Sequence, residues 1–145
     1  MTAALRWIDE QSDVVEDDDG EMVHAAVTVD LDIDSVVTIR RIDSNADRPQ
    51  GLALDADVPI GVNGVESTRI VLWDHSSPDE VDLEVPAGRL TLWNVWETDG
   101  AVHAWVGAAG IVLDEVDTDI TRLRASDGIG HRTVDLEVEV RIRAS

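Results

Sequence analysis

Apolar and charged residues alternate with a period of two along several stretches of this chain, which is the side-chain repeat of a β-strand with one buried face. In the longest stretch, 133–142, Val, Leu and Ile take every second position, and Thr, Asp, Glu and Arg take the others. Residues 27–34 and 81–85 show the same alternation. Because one face is apolar and the other is charged, the pattern predicts antiparallel strands that turn one face to water.

Turn-forming residues separate these stretches at short intervals. Apolar residues between the turns predict further strands near 3–8, 36–42, 68–73, 89–96, 101–106 and 110–114. The proline- and glycine-rich segment 49–66 predicts a long loop, or a loop with a short edge strand. The chain has the length of one domain, so we predict a single domain over residues 1–145. Its expected fold is an all-β antiparallel β-sandwich, jelly-roll-like, with about eight or nine strands.

Residues 114–124 fit two descriptions. The helical description rests on the spacing of Leu113, Val116, Ile120 and Leu123, and on acids that precede Arg122 and Arg124. The β-branched residues of the same segment favour a strand instead. One short helix near 114–124 therefore remains an alternative within the all-β fold.

Three of the five tryptophans lie in the segment 90–107, on either side of Asp99-Gly100, a dipeptide that favours a two-residue type I′ turn. This turn places Thr98 opposite Ala101 and Trp96 opposite His103. One face of the predicted hairpin, which we expect to be core, carries Thr91, Trp93, Val95, Val102, Ala104 and Val106. The other face carries Leu90, Leu92, Asn94, Trp96, His103 and Trp105.

This second face has two interpretations. Trp96 and Trp105, with Asn94 and His103 between their rings, could form a flat aromatic platform for a sugar or another small ligand. These four residues are the candidate ligand-binding residues. Alternatively, the rings are core, since the chain contains no Phe and no Tyr to fill that role.

The charge of the chain is strongly negative, with 31 acidic residues against eleven basic ones and a net charge of −20. Such a field repels nucleic acids and anionic membranes and attracts cationic partners.

No cysteine is present, which excludes disulfides and thiolate chemistry, and no lysine is present either. The N-terminal residues lack the pattern of a signal peptide, and no apolar run has transmembrane length, so we expect a cytoplasmic protein.

Motifs for metal binding or catalysis are weak in this sequence. The acidic segment 16–21 has the composition of a calcium loop but not the ligand register of an EF-hand, and the four histidines lack the spacing of a zinc site. Asp74, His75 and Ser76 are adjacent and predict a turn, because the members of a catalytic triad must meet in space with the base between the other two. We therefore expect no enzyme activity, no metal and no cofactor.

The segment VPAGRLTL, residues 85–92, consists of a strand, a Pro-Ala-Gly turn and a second strand that starts at Arg89. It resembles a group of uncharacterised small bacterial proteins, common in actinobacteria, that share this strand–PAG–strand motif. The likeness spans about residues 68–106. It departs from the group at Leu90, where an aromatic residue is usual, and at 92–94, which replace a basic pattern. The resemblance implies a β-sandwich and assigns no activity.

Together these features predict a non-catalytic protein-interaction module with a strongly acidic surface. A basic protein is the expected partner, as in immunity-type binding of a basic toxin, where opposite charges steer association. The chain itself is expected to be a monomer or a weak dimer. The alternative function is a small-ligand or carbohydrate-binding domain that uses the tryptophan hairpin 90–106.

Overall fold

The computed structural model describes residues 7–8, 14–16, 22–24, 26–44, 48–104, 110–126 and 134–145. Within these ranges the chain forms strands and turns and no helix, so no helix there could cross a membrane. The thirteen strands are β1 (Trp7–Ile8), β2 (Val14–Glu16), β3 (Met22–His24), β4 (Val27–Leu31), β5 (Ser35–Ser44), β6 (Gln50–Val62), β7 (Val65–Trp73), β8 (Glu80–Val85), β9 (Gly88–Thr98), β10 (Ala101–His103), β11 (Gly110–Glu115), β12 (Ile120–Ser126) and β13 (Leu136–Ala144).

The all-β antiparallel fold is confirmed, and its strands belong to one continuous sheet that nearly closes into a barrel. The strand order is β1-β4-β9-β6-β8-β5-β13-β12-β11-β3-β2, with β10 paired to β9 and β7 paired to β6. The two expected layers are therefore opposite walls of the same curled sheet. There are more strands than the eight or nine expected, partly because β2, β3 and β10 have only three residues each.

The predicted alternation explains which side of each strand faces inward. Along β13, Val138, Val140 and Ile142 are buried, whereas Arg141 and Arg143 are exposed. Leu83 and Val85 of β8 are buried in the same way. Apolar side chains from β4, β5, β6, β8, β9, β11, β12 and β13 join in one core inside the curled sheet.

The helix considered for 114–124 is wrong, because this segment forms the β11–β12 hairpin. The backbone N–H groups of Val116 and Asp117 both donate to the carbonyl of Ile120, at 3.0 and 3.1 Å, and close the turn. Leu123 is buried opposite Val138 of β13, so burial follows a period of two along β12. The β-branched residues favour the strand conformation that is observed here. The helical spacing of the apolar residues was a coincidence.

The loop expected at 49–66 is also wrong, because β6 runs for thirteen residues and pairs with β7, β8 and β9. Pro59 lies inside the strand at a register shift between Asp55 and Ile60. A residue without an N–H group is tolerated at such an irregularity. Asn63 and Gly64 then form the turn to β7, with φ of 50° and 79°.

Ion pairs connect strands on the outer face of β11–β13. Arg124 makes a two-pronged contact with Asp114 of β11, with Nε donating to Oδ2 at 2.6 Å and Nη2 donating to Oδ1 at 3.3 Å. Arg122 lies between Glu137 and Glu139 of β13, at 3.6 and 3.8 Å. The acids and arginines that suggested a helix dipole thus pair across strands instead.

The Asp114–Arg124 pair is half-exposed, so its effect on stability is expected to be small. Replacing Asp114 by alanine should lower the free energy of unfolding by about 0.5–1 kcal/mol at low salt, and by less at high salt. Urea denaturation at two salt concentrations measures both values. The matched control is Glu115→Ala, an exposed acid on the same strand. If both variants lose the same free energy at low salt, the pair contributes nothing.

Candidate functional site

The tryptophan hairpin has the predicted register. Ala101 pairs with Thr98, Val102 with Glu97, and His103 with Trp96. Asp99 and Gly100 have φ of 52° and 79°, as a type I′ turn requires at both central positions. The local sequence was sufficient here because a two-residue turn fixes the pairing of its flanking strands.

Two of the proposed platform residues, Asn94 and Trp96, lie on the inner face of β9. Leu90 and Leu92 are fully buried in the core, and Asn94 and Trp96 expose only 2% and 3% of their surface. The Asn94 side chain donates from Nδ2 to the carbonyl of Ser126 at 3.0 Å. His103 is partly buried and stacks on Trp96, with ring centroids 6.1 Å apart. Trp105 lies outside the described residues.

The opposite face of β9, expected to be core, carries a second and smaller apolar cluster. Trp93 and Val95 are buried there with Ala53 of β6. The Arg69 guanidinium lies 5.5 Å from the centre of the Trp93 ring, a cation–π distance. Val102 does not belong to this core, since it is 59% exposed near the hairpin tip, and Val106 lies outside the described residues.

Both faces of β9 are thus covered, one by the main core and the other by the smaller apolar cluster, and both of its edges pair, with β4 and β6. The geometry makes Asn94 and Trp96 packing residues at one end of the sheet interior. The ligand-binding role of Trp96, Trp105, His103 and Asn94 remains a prediction.

A groove of about 890 Å³ opens at the other end of the sheet, where β5 begins and β6 ends. We call it the acidic groove, after the four carboxylates of Asp34, Glu66, Asp82 and Glu84 that line it. Its other charged side chain is that of Arg143, on β13. The groove is open to solvent, and its glutamates are exposed.

Strand register places the two glutamates on either side of a glycine. Gly61 of β6 pairs with Glu66 of β7 and with Glu84 of β8. Directly paired residues point to the same face of a sheet, so both glutamates project on the face where Gly61 has no side chain. A Cβ atom at Gly61 would lie 3.4 Å from Oε2 of Glu84. The missing side chain therefore leaves room that the Glu84 carboxylate borders.

The four acids differ in their contacts. Asp82 accepts a hydrogen bond from Oγ1 of Thr38 at 2.6 Å, and Asp34 accepts one from the backbone N–H of Ala87 at 2.9 Å. Among the described residues, Glu66 and Glu84 make no ion pair or hydrogen bond through their carboxylates. Asp34 and Asp82 are held in place, whereas the two glutamates are free to meet a cation.

Local sequence patterns could not reveal this groove. The alternation in 81–85 correctly placed Asp82 and Glu84 on the wet face, but Gly61 and Glu66 lay in the segment interpreted as a loop. The missed signal was Asn63-Gly64, a hairpin dipeptide between apolar residues. That turn is what brings Glu66 back to Gly61.

The other candidates for chemistry occupy turns. Asp74, His75 and Ser76 lie in the β7–β8 turn, where the N–H of Ser77 donates to the carbonyl of Trp73 at 2.9 Å. Most of the calcium-like segment 16–21 lies outside the described residues. Within the described part of the chain, no group of three or more His, Asp or Glu residues is arranged to hold a metal ion.

Comparison with known proteins identifies no match to this chain. No family model matches it, and neither does a curated protein or a solved structure. The likeness of residues 68–106 to actinobacterial proteins stays a prediction. The geometry and charge of the two candidate sites are therefore the guide to function.

Proposed function

We propose that this protein is a cytoplasmic, non-catalytic protein-interaction module that binds a basic partner through its acidic surface. An immunity-type protein that neutralises a basic bacterial toxin is one instance of this class. The observation that supports the proposal is the acidic groove, a concave surface with four carboxylates and one arginine.

The distribution of charge supports the groove over the rest of the surface. Several arginines elsewhere already have acidic partners, including Arg41 with Asp79 at 2.6 Å and Arg89 with Asp30 at 3.1 Å. A cation that bound at those places would have to displace an existing pair. Glu66 and Glu84 have no such partner among the described residues, so a cation can approach them at no cost in broken ion pairs.

The net charge of −20 adds a long-range effect. A strongly acidic protein accelerates its encounter with a basic partner, and salt weakens that acceleration. Binding to the groove should therefore be fast at low ionic strength, and its association rate should fall as salt is added.

The test compares two triple variants that lose the same amount of negative charge. The groove variant is Glu66→Gln, Asp82→Asn and Glu84→Gln, and the control is Asp99→Asn, Glu115→Gln and Asp117→Asn, at exposed positions outside the groove lining. The probe is a fluorescent peptide of alternating arginine and alanine, with its association rate measured by stopped flow across a salt series. The groove variant should lose about tenfold in rate at low salt, and the control much less. Equal losses would show that only net charge matters and would contradict a binding groove.

A further inference from the structure

We infer that the acidic groove, in the binding function proposed above, takes an arginine of the partner over Gly61 and a carboxylate of the same partner segment at Arg143. The partner chemistry is thus an extended segment with arginine and, four residues away, an aspartate or glutamate. The inference rests on the proposed function and adds the identity and spacing of the recognised charges.

The first element is the notch, which we define as the space over Gly61 between Glu66 and Glu84. Neighbouring strands are about 4.8 Å apart, so the backbones of the two glutamates stand about 10 Å apart across the notch. Only the glycine lies between them, and the Glu84 carboxylate borders the space where a side chain would otherwise be. The notch is therefore open from above and flanked by acid on both sides.

A guanidinium group fits this arrangement better than an ammonium group. It is planar and carries five N–H donors on several edges, so it can meet two carboxylates that approach from opposite sides. An ammonium group is a compact point charge and would favour one glutamate over the other. The notch therefore favours arginine over lysine.

The second element is Arg143, on the opposite side of the groove from Glu66. Val36 of β5 pairs with Glu84 on one side and with Arg143 on the other, so the three side chains lie in one row on the outer face. Two strand spacings, about 10 Å, separate Glu84 from Arg143. Arg143 makes no ion pair among the described residues; its Nη1 donates only to Oγ1 of Thr38, at a long 3.4 Å.

These two elements set the spacing in the partner. The notch over Gly61 lies one strand further from Arg143 than Glu84 does, so three strand spacings, about 14 Å, separate the two sites. An extended chain advances about 3.3 Å per residue, so about four residues cover this distance, and side chains four residues apart point to the same face. The three residues between the charges would cross Glu84 and then the partly buried Val36, which offers an apolar floor. A purely basic segment would instead place a second cation against Arg143, and like charges repel.

The experiment uses the whole protein and three capped peptides of equal length. The first contains Arg-Ala-Ala-Ala-Asp within an alanine and serine frame, the second has Asn in place of the Asp, and the third has Lys in place of the Arg. Affinities are measured by fluorescence anisotropy for the wild type, Arg143→Gln and Gly61→Ala. Thermal melting establishes that each variant is folded.

The wild type should bind the Asp peptide about five- to tenfold more tightly than the Asn peptide, and Arg143→Gln should bind the two equally. Gly61→Ala should reduce the preference for arginine over lysine, because its methyl group fills the notch. If Arg143→Gln keeps the preference for Asp, or the wild type has none, the inference is overturned. In that case, the variant with Glu66, Asp82 and Glu84 all replaced decides whether the proposed function stands. The proposed function stands if this triple variant loses affinity for all three peptides. It fails as well if the triple variant binds them as the wild type does.

Discussion

Replacing Trp96 by alanine is expected to lower the free energy of unfolding by about 3–5 kcal/mol, the usual cost of truncating a large buried aromatic residue. Trp96 exposes 3% of its surface, stacks on His103 and pairs with Gln50 of β6, which is itself fully buried. Truncation would leave a cavity at the end of the sheet interior that a central strand cannot close. Urea denaturation followed by circular dichroism measures the loss.

The matched control for this experiment is Val102→Ala, at a 59% exposed position on the same hairpin. Its unfolding free energy should stay within about 0.5 kcal/mol of the wild type. The opposite result would be a Trp96→Ala protein that is as stable as the wild type but has lost binding on a glycan panel. That result would favour the ligand platform of Trp96, Trp105, His103 and Asn94 over the packing role.

Replacing Ile60 by alanine should cost about 2–5 kcal/mol of unfolding free energy. Ile60 is fully buried in the main core, and it follows the register shift that lets β6 continue past Pro59. In a surface loop the same substitution would cost little, so this variant separates a strand from a loop at 49–66. Urea denaturation is again the measurement.

Pro59→Ala is the neighbouring control, because Pro59 is exposed and its ring makes no contribution to the core. Its effect should be well below that of Ile60→Ala. Equal and small losses for both variants would mean that this part of β6 does not carry the core packing assigned to it.

The strands that could be predicted from the sequence are those with one face exposed to water. Their alternation is visible because water and core select opposite residue types at successive positions, as in β13 with Val138 inside and Arg141 outside. In β6 the residues Gly51, Leu52, Ala53 and Leu54 are all buried, since both faces of this part of the strand are covered. No alternation remains there, and the glycines and prolines then suggested a loop.

The two candidate sites differ in how much of their structure could be predicted from the sequence. The register of the β9–β10 hairpin follows from Asp99-Gly100 alone, but which face lies inside depends on the strands beside it. The acidic groove requires Glu66, Gly61 and Glu84 to become neighbours through pairings across three strands. A single sequence carries no local signal for such pairings, so the convergence of these charges becomes visible only in the folded chain.

The register shift at Asp55–Ile60 has a consequence for the solubility of this protein. In the described ranges β7 pairs on one edge only, with β6, and a straight free edge of this kind is a template for stacking of further chains. Near the shift, Oγ of Ser67 donates to the Arg69 carbonyl at 2.7 Å and accepts from the Arg69 N–H at 3.3 Å. The backbone N–H and carbonyl of Arg69 thus both have a partner within β7, so at this position the edge is a poorer template for an incoming strand than a straight one.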